Sequence, residues 1–142
     1  MSGAEETGQP IPQGDYVAAA RHGGMIYTAG MTPRENGVMI TEGHVRSADI
    51  DSFRDAVVLA CANALRAAEA TLRDGEQIAA ILSMTVYLAA EPGFTQHSKL
   101  ADHASGWLRK RLGDRGICSR CAVGVASLPG NAPVEIQLIA AV

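Results

Sequence analysis

The chain has 142 residues, of which 47% are hydrophobic and 19% are charged, and its formal net charge at pH 7 is −3. This balance is typical of one globular domain and excludes a disordered chain. The negative charge provides no general attraction to nucleic acid or to an anionic membrane. No run of residues approaches the roughly 20 apolar residues that a transmembrane helix needs.

The cysteine count indicates the compartment. There are three cysteines, and an odd number argues against a disulfide framework and for a reducing environment. The first ten residues are polar and acidic, unlike a secretory signal. We therefore expect a cytoplasmic protein without contacts to membrane or nucleic acid.

The first half of the chain begins with strand patterns. Residues 1–13 contain Pro, Gly and polar side chains and predict a flexible leader, followed by a single domain over residues 14–142. Strands are predicted at Tyr16–Arg21 and Met25–Gly30, separated by a Gly-Gly turn. A short edge strand is predicted at Val38–Ile40.

The middle of the chain changes to a helical period. A helix is predicted from about Asp49 to a stop at Asp74-Gly75, and a second from Phe94 to about Leu112. Between them, Ala79–Ala89 predicts a strand with Leu82, Met84, Val86 and Leu88 on one side. Each helix has one apolar stripe, so both are expected on the same face of one sheet.

The last stretch predicts two strands. Residues 120–127 and 134–141 alternate, and the residues between them have turn chemistry, so we expect a hairpin. The predicted element order is β-β-(β)-α-β-α-β-β, an α+β fold with a mixed sheet. Small, semi-apolar side chains on the second faces of the strands favour burial against another subunit, which predicts a homo-oligomer.

The terminal strands also carry the strongest candidate for chemistry. Alternation places Arg120 opposite the side chains of Cys121, Val123 and Val125, and Glu135 opposite the apolar side of its own strand. A guanidinium can donate two parallel hydrogen bonds to a carboxylate, and a carboxylate can accept and donate a proton as a general base and acid. From spacing alone, a structural ion pair or a salt bridge between subunits is as good an interpretation as a site.

Other candidate motifs are weaker. Cys118 and Cys121 have the spacing of a redox or zinc half-motif, but they open a strand and no second cysteine pair follows. The four histidines lack metal-binding spacing, so no metal is predicted. Gly30 ends a strand, where it either offers a bare backbone N–H to a ligand or marks a bend.

Three features together resemble the YjgF/RidA family of reactive-imine deaminases. They are Tyr16 opening a strand, the run Gly24–Gly30, and the C-terminal stretch that has Arg120 at a strand start, Ala-Ser-Leu-Pro in the turn and Val-Glu-Ile around Glu135. The resemblance covers the whole chain after the leader. It implies a chorismate-mutase-like fold and a homotrimer whose sites lie in clefts between adjacent subunits.

The resemblance also implies an activity and a role for each matching residue. The activity is hydrolysis of 2-imino or enamine acids to 2-keto acids and ammonia, without metal or organic cofactor. Arg120 would bind the substrate carboxylate, and Glu135 would activate water or pass a proton to the departing nitrogen. Tyr16 would line the cleft, and the backbone around Gly30 and Ala122 would donate hydrogen bonds.

The pocket wall departs from the best-known branch of that family at three positions. Ala29 stands where that branch has a hydroxyl, Ala122 where it has a cysteine, and Ser98 or a neighbouring residue where it has an asparagine on the second helix. These changes leave Arg120, the expected carboxylate clamp, in place and point to a different substrate.

Three other functions compete with imine hydrolysis. One is a non-catalytic trimer that binds small carboxylate metabolites, although a pure binder needs only Arg120. Another is a related hydrolase of an amide or carbamate substrate, which the changed pocket residues allow. The third is nuclease activity, which the negative net charge and the 4% aromatic content disfavour.

Overall fold

The computed structural model describes residues 8–142, and residues 1–7 of the predicted leader lie outside it. The two α-helices are α1 (Arg54–Glu69) and α2 (His97–Leu112), and a 3-10 helix at Ser47–Phe53 precedes α1. The strands are β1 (Ala19–His22), β2 (Met25–Thr28), β3 (Arg34–Glu35), β4 (Val38–Met39), β5 (Ala80–Ala89), β6 (Ser119–Val125) and β7 (Val134–Ala141). The predicted α+β fold is confirmed.

The main sheet has five strands in the order β1-β2-β7-β5-β6, while β3 and β4 form a separate pair. The predicted terminal hairpin is wrong. Strand β7 lies between β2 and β5 and is antiparallel to both, whereas β6 pairs only with β5, in parallel. Helix α2 provides the crossover that a parallel pair requires, because it returns the chain to the end of the sheet where β5 began.

Both helices cover one face of this sheet, and this layer is the core. Along β7 every second residue, from Val134 to Ala140, is fully buried. The alanines of α1 are almost all buried, which lets the helix approach the sheet closely. On the other face, Tyr27 and Val123 remain 48% and 42% exposed. One chain therefore leaves this face of the sheet open.

A bulge in β5 changes which residues enter the core. The register between β5 and β7 shifts between Ile81 and Ser83. As a result Ile81 is 1% exposed and Leu82 is 43% exposed, so the predicted placement of Leu82 beside Met84 is wrong. The extra residue reverses the alternation at this point in the strand.

The first helix is shorter than predicted. Its predicted start is a 3-10 helix that contains a non-helical Asp49, whose carboxylate accepts two hydrogen bonds from Arg46. At the other end, Thr71 Oγ1 donates to the carbonyl of Ala68, and the α-helix ends at Glu69. Local side-chain hydrogen bonds of this kind compete with the helical pattern.

An ion pair ties β1 to the loop after α1. Arg21 donates from Nη1 and Nη2 to the two carboxylate oxygens of Glu76, at 2.6 and 2.7 Å, and from Nη1 to the carbonyl of Thr71 at 3.0 Å. The hydrogen bonds from Arg21, and then from the backbone N–H of Arg73, lower the pKa of Glu76 from 4.5 to about 2. The pair thus favours the ionised form of Glu76 in the folded state.

We expect Glu76→Gln to lower the free energy of unfolding at pH 7. Because folding depresses this pKa, the stabilisation is complete above about pH 4.5 and is lost as the pH falls toward 2. Urea unfolding of wild type and variant at pH 7, 4 and 3 measures the difference, with Glu42→Gln at an exposed position as the control. A difference that stays constant over this range would contradict the assignment.

Candidate functional site

Arg120 lies on the edge strand β6, and its side chain contacts α2. Its Nη1 donates to Asp102 Oδ1 and to Ser105 Oγ, each at 2.9 Å. Its Nη2 donates to Ser98 Oγ at 2.8 Å and to the Ser98 carbonyl at 3.3 Å. Two residues that the sequence singled out, Arg120 and Ser98, are therefore in direct contact.

The structure decides which side of β6 faces the helices, a point that alternation along the strand left open. Arg120 pairs in register with Met84, which is fully buried under the helices, so Arg120 is on the helix-covered face. Ala122 shares this face, whereas Val123 lies on the open face. An arginine is accommodated on the covered face because the part of α2 above it is polar.

A polar stripe on α2 forms the other wall of this region. Ser98, Asp102, Ser105 and Arg109 have i, i+4, i+7 and i+11 spacing and therefore lie on one side of the helix. A cavity of about 400 Å³ separates the stripe from β6. It is lined by Asp102, Ser105, Arg109, Gly116, Ile117, Cys118 and Arg120. The helical spacing is a signal in the sequence that could have identified Asp102 and Ser105.

The cysteines near this cavity are free thiols. Cys118 is half-buried, and burial raises the pKa of its thiol while the charge of Arg120 opposes that shift. Cys121 is exposed on the opposite face of the strand. Within residues 8–142, no group of three or more His, Cys, Asp or Glu side chains is placed to bind a metal ion.

Glu135 lies on the open face of β7, next to Gly30. A side-chain carbon at position 30 would be 2.5 Å from Glu135 Oε2, so only glycine leaves room for this carboxylate. Two backbone hydrogen bonds between Met31 and Ile136, at 2.8 and 2.9 Å, fix the two segments side by side. Glu135 is half-buried, and burial raises the pKa of its carboxyl group.

Thr28 holds the end of β2 against β7, a structural role that the sequence patterns did not predict. It is 2% exposed, and its hydroxyl accepts a hydrogen bond from the Leu138 N–H at 3.0 Å and donates to the Ala29 carbonyl at 2.8 Å. Gln137 Nε2 donates to the Thr28 carbonyl at 3.1 Å. These bonds connect the end of β2 to β7 just before Gly30.

A second cavity, of about 160 Å³, begins at Gly30 and is lined on another side by Tyr16. Tyr16 precedes β1 instead of opening it, and its hydroxyl accepts a hydrogen bond from the Gln13 N–H at 3.1 Å. Asn63 lines the far wall and donates to the carbonyls of Thr32 and Arg34. Residues 8–13 contribute the rest of the lining together with the loop around residue 36.

The chain matches a known protein family over nearly its whole length. The family model described as Endoribonuclease L-PSP matches residues 7–142. The chain belongs to this family. Because the solved structures that resemble it include the YjgF protein of E. coli, the resemblance inferred from Tyr16, Gly30, Arg120 and Glu135 is confirmed at the level of the family.

Three solved structures illustrate the relationship. Atu1372 from Agrobacterium tumefaciens, described as a protein of unknown function, is 32% identical, with 99% of this chain and 91% of that chain covered and a TM-score of 0.85. YjgF is 22% identical, with 94% and 92% covered and a TM-score of 0.70. E. coli TdcF, solved with bound serine, is 21% identical, with 94% and 93% covered and a TM-score of 0.72. The last two show a shared fold.

The L-PSP fold divides the predicted site residues of one chain into two groups. The arginine half-site consists of Arg120, Ser98 and Ala122, on the helix-covered face of β6. The glutamate half-site consists of Glu135 on the open face of β7 with Gly30 beside it and Ala29 adjacent in the chain, whereas Tyr16 shares with it only the cavity that Gly30 also lines. Tyr87 pairs with both Glu135 and Val123, which confirms that Glu135 and Arg120 are on opposite faces of the sheet. The alternative interpretation of Arg120 and Glu135 as a structural ion pair within one chain is therefore excluded.

We expect Gly30→Ala to destabilise this L-PSP protein by about 1 kcal/mol or less, because the added methyl group forces the flexible Glu135 side chain out of its rotamer. Urea unfolding measures the change. In Gly30→Ala/Glu135→Ala the overlap is absent, so the double variant should recover most of the loss. The control is Gly24→Ala in the turn before β2, where a side-chain carbon would meet only the Val142 carbonyl at 3.5 Å, an ordinary contact. Additive effects of the two substitutions would contradict the contact.

Proposed function

We propose that this protein hydrolyses reactive 2-imino and enamine acids to 2-keto acids and ammonia in the cytoplasm. The observation that carries the proposal is that each chain contains two complementary half-sites, one with a guanidinium and one with a carboxylate. One presents the guanidinium of Arg120 beside a polar cavity, and the other presents the half-buried carboxylate of Glu135 beside Gly30. Together they supply an anion clamp and a proton carrier.

The chemistry needs these two groups. Arg120 binds the substrate carboxylate and so fixes the position of the imine carbon. Glu135 removes a proton from water as the water oxygen bonds to that carbon, which gives a carbinolamine. The same carboxyl group then passes that proton to nitrogen, and as the carbon–nitrogen bond breaks the carboxylate takes up the hydroxyl proton, so that ammonia leaves and a 2-keto acid remains. The raised pKa of Glu135 favours this exchange, because its carboxylate is a stronger base than an exposed one.

The two half-sites would be joined in a homotrimer. Arg120 and Glu135 are on opposite faces of the sheet, so a complete site requires the arginine half-site of one chain and the glutamate half-site of another. The open face of the sheet carries exposed Tyr27 and Val123, which fit burial against a second subunit. Light scattering should give three times the chain mass of 14.8 kDa.

A second candidate is a trimer that binds carboxylate metabolites without turnover. It is favoured by the completeness of the arginine half-site in one chain, where Arg120 already lies among Ser98, Ser105 and a cavity of about 400 Å³. The structure of TdcF with bound serine is an example of a related fold holding a small ligand with a carboxylate. The family description also includes RNA cleavage, which the net charge of −3 disfavours.

A coupled assay tests the proposal. An amino-acid oxidase generates imines from small, aliphatic and aromatic amino acids, and semicarbazide traps the imine that remains. We expect the protein to accelerate imine loss and the rates to rank the substrates. If no imine is lost faster in its presence, hydrolysis is contradicted, and a binding screen of 2-keto acids then tests the second candidate.

A further inference from the structure

We propose that Asp102 is an internal counter-ion that occupies the guanidinium of Arg120 in the free protein and releases it to the carboxylate of an incoming ligand. Asp102 would thus decide which ligands enter the arginine half-site. The inference rests on the proposed role of Arg120 as the carboxylate clamp, and its test separates the two.

The hydrogen bonds of Arg120 leave no free terminal nitrogen for a ligand. Nη1 is engaged by Asp102 Oδ1 and Ser105 Oγ, and Nη2 is engaged by the hydroxyl and carbonyl of Ser98. A ligand carboxylate needs at least one of the four N–H groups on these two nitrogens to accept a hydrogen bond from a terminal nitrogen. One of the three partners on α2 therefore has to leave before Arg120 can hold a substrate in this way.

Asp102 is the partner best suited to leave. It is the one that carries a charge, so a ligand carboxylate replaces it with an equivalent group. Its side chain is 70% exposed, whereas that of Arg120 is only 18% exposed. An exposed carboxylate loses little when it returns to water, and ion pairs of this kind are weak. The two serines, being neutral, can keep donating and accepting hydrogen bonds around the new carboxylate.

The structure also offers Asp102 a second position. Its side chain lines a further cavity, of about 270 Å³, on the other side of α2. That cavity has basic side chains from both helices, Arg54 and Lys110, together with His103. Asp102 therefore borders two cavities, and in the second one Lys110 and His103 are basic groups that it can approach, while Arg54 is paired with Asp55.

This arrangement selects for negatively charged ligands. A neutral ligand cannot replace the charge of Asp102, so it leaves the Arg120–Asp102 pair intact and finds both terminal nitrogens of Arg120 occupied. A carboxylate ligand replaces that charge and also leaves the serines in place. Asp102 is thus a specificity-determining residue on α2, distinct from Arg120 and Glu135, which are expected to contact the substrate.

Asp102→Asn tests the inference because it removes the competing charge and keeps the shape of the side chain. Calorimetry with 2-oxobutyrate at low salt should show a dissociation constant about two- to fivefold lower than that of wild type, the size expected for an exposed ion pair. Binding of the matching 2-oxobutyramide should not improve. Asp74→Asn is the control, since Asp74 is exposed in the loop after α1 and is neither a partner of Arg120 nor a lining residue of the two cavities that Asp102 borders. If Asp102 merely holds Arg120 in position, the dissociation constant will rise instead.

Arg120→Gln in both backgrounds separates this inference from the proposed function. The counter-ion role is supported if Arg120→Gln abolishes binding in the wild-type and the Asp102→Asn background, and if Asp102→Asn with Arg120 intact binds more tightly than wild type. If Arg120→Gln abolishes binding in both backgrounds but Asp102→Asn binds no more tightly than wild type, the counter-ion role is overturned. The role of Arg120 as carboxylate clamp then still stands. Binding that survives Arg120→Gln, or that is absent from wild type and Asp102→Asn alike, overturns the clamp and the counter-ion together.

Discussion

Replacing Arg120 with alanine is expected to lower kcat/KM for 2-imino acids by about 10²–10⁴-fold. The guanidinium would make two hydrogen bonds to the substrate carboxylate, and each bond to a charged group contributes about 1.5–3 kcal/mol. Their loss removes both affinity and the orientation of the imine carbon relative to water. The semicarbazide competition assay measures the change.

The fold should survive this substitution. The partners that Arg120 leaves behind are Ser98, Ser105 and the exposed Asp102, which water can hydrate. Arg109→Ala is the matched control, because Arg109 lines the same cavity without being assigned to the substrate. Both variants should show a cooperative unfolding transition, with Arg120→Ala less stable than wild type by about 1–3 kcal/mol because its hydrogen bonds are lost. Turnover in Arg120→Ala close to that of wild type would remove Arg120 from the mechanism.

Replacing Glu135 with glutamine is expected to lower kcat by about 10²–10⁴-fold, the usual contribution of a positioned acid or base. The dissociation constant for 2-oxobutyrate should stay within about twofold of wild type, because the carboxylate clamp is on a different half-site. Single-turnover kinetics and calorimetry measure the two quantities separately. If affinity and kcat fall together, Glu135 has a binding role.

The pKa of Glu135 gives this variant a second signature. Burial raises the pKa of the carboxyl group above its usual 4.5, so the folded state binds this proton more tightly than the unfolded state does. The ionised carboxylate therefore costs stability once the pH exceeds that raised pKa. At pH 7, Glu135→Gln should be at least as stable as wild type while it is inactive. The acid limb of the wild-type pH–rate profile should likewise lie above pH 4.5.

The sequence was sufficient for the elements and for the family, because both depend on local patterns. The 2- and 3.6-residue periods identified β5, α1, α2 and both terminal strands, and the residues around Arg120 and Glu135 identified the resemblance. The ends of α1 were less predictable. They depend on side chains such as Asp49 and Thr71, which form hydrogen bonds that compete with the helix.

Strand order and strand orientation could not be predicted from those patterns. Alternation says that Arg120 and Val123 are on opposite faces of β6, but not which of them faces the helices. The answer depends on the register with Met84 across a parallel pair and on the polar stripe of α2. A turn sequence between β6 and β7 likewise favours a hairpin, yet β5 takes the place next to β7. Both outcomes are fixed by contacts between distant segments.

The central claim is that one active site combines Arg120 from one subunit with Glu135 from another. Arg120→Ala and Glu135→Gln are each inactive on their own in this account. When equal amounts are unfolded together and refolded as mixed trimers, about a quarter of the sites should receive both native residues, since each is supplied by half of the chains. Activity near a quarter of wild type would support the shared site. Activity no higher than that of the separate variants would contradict it.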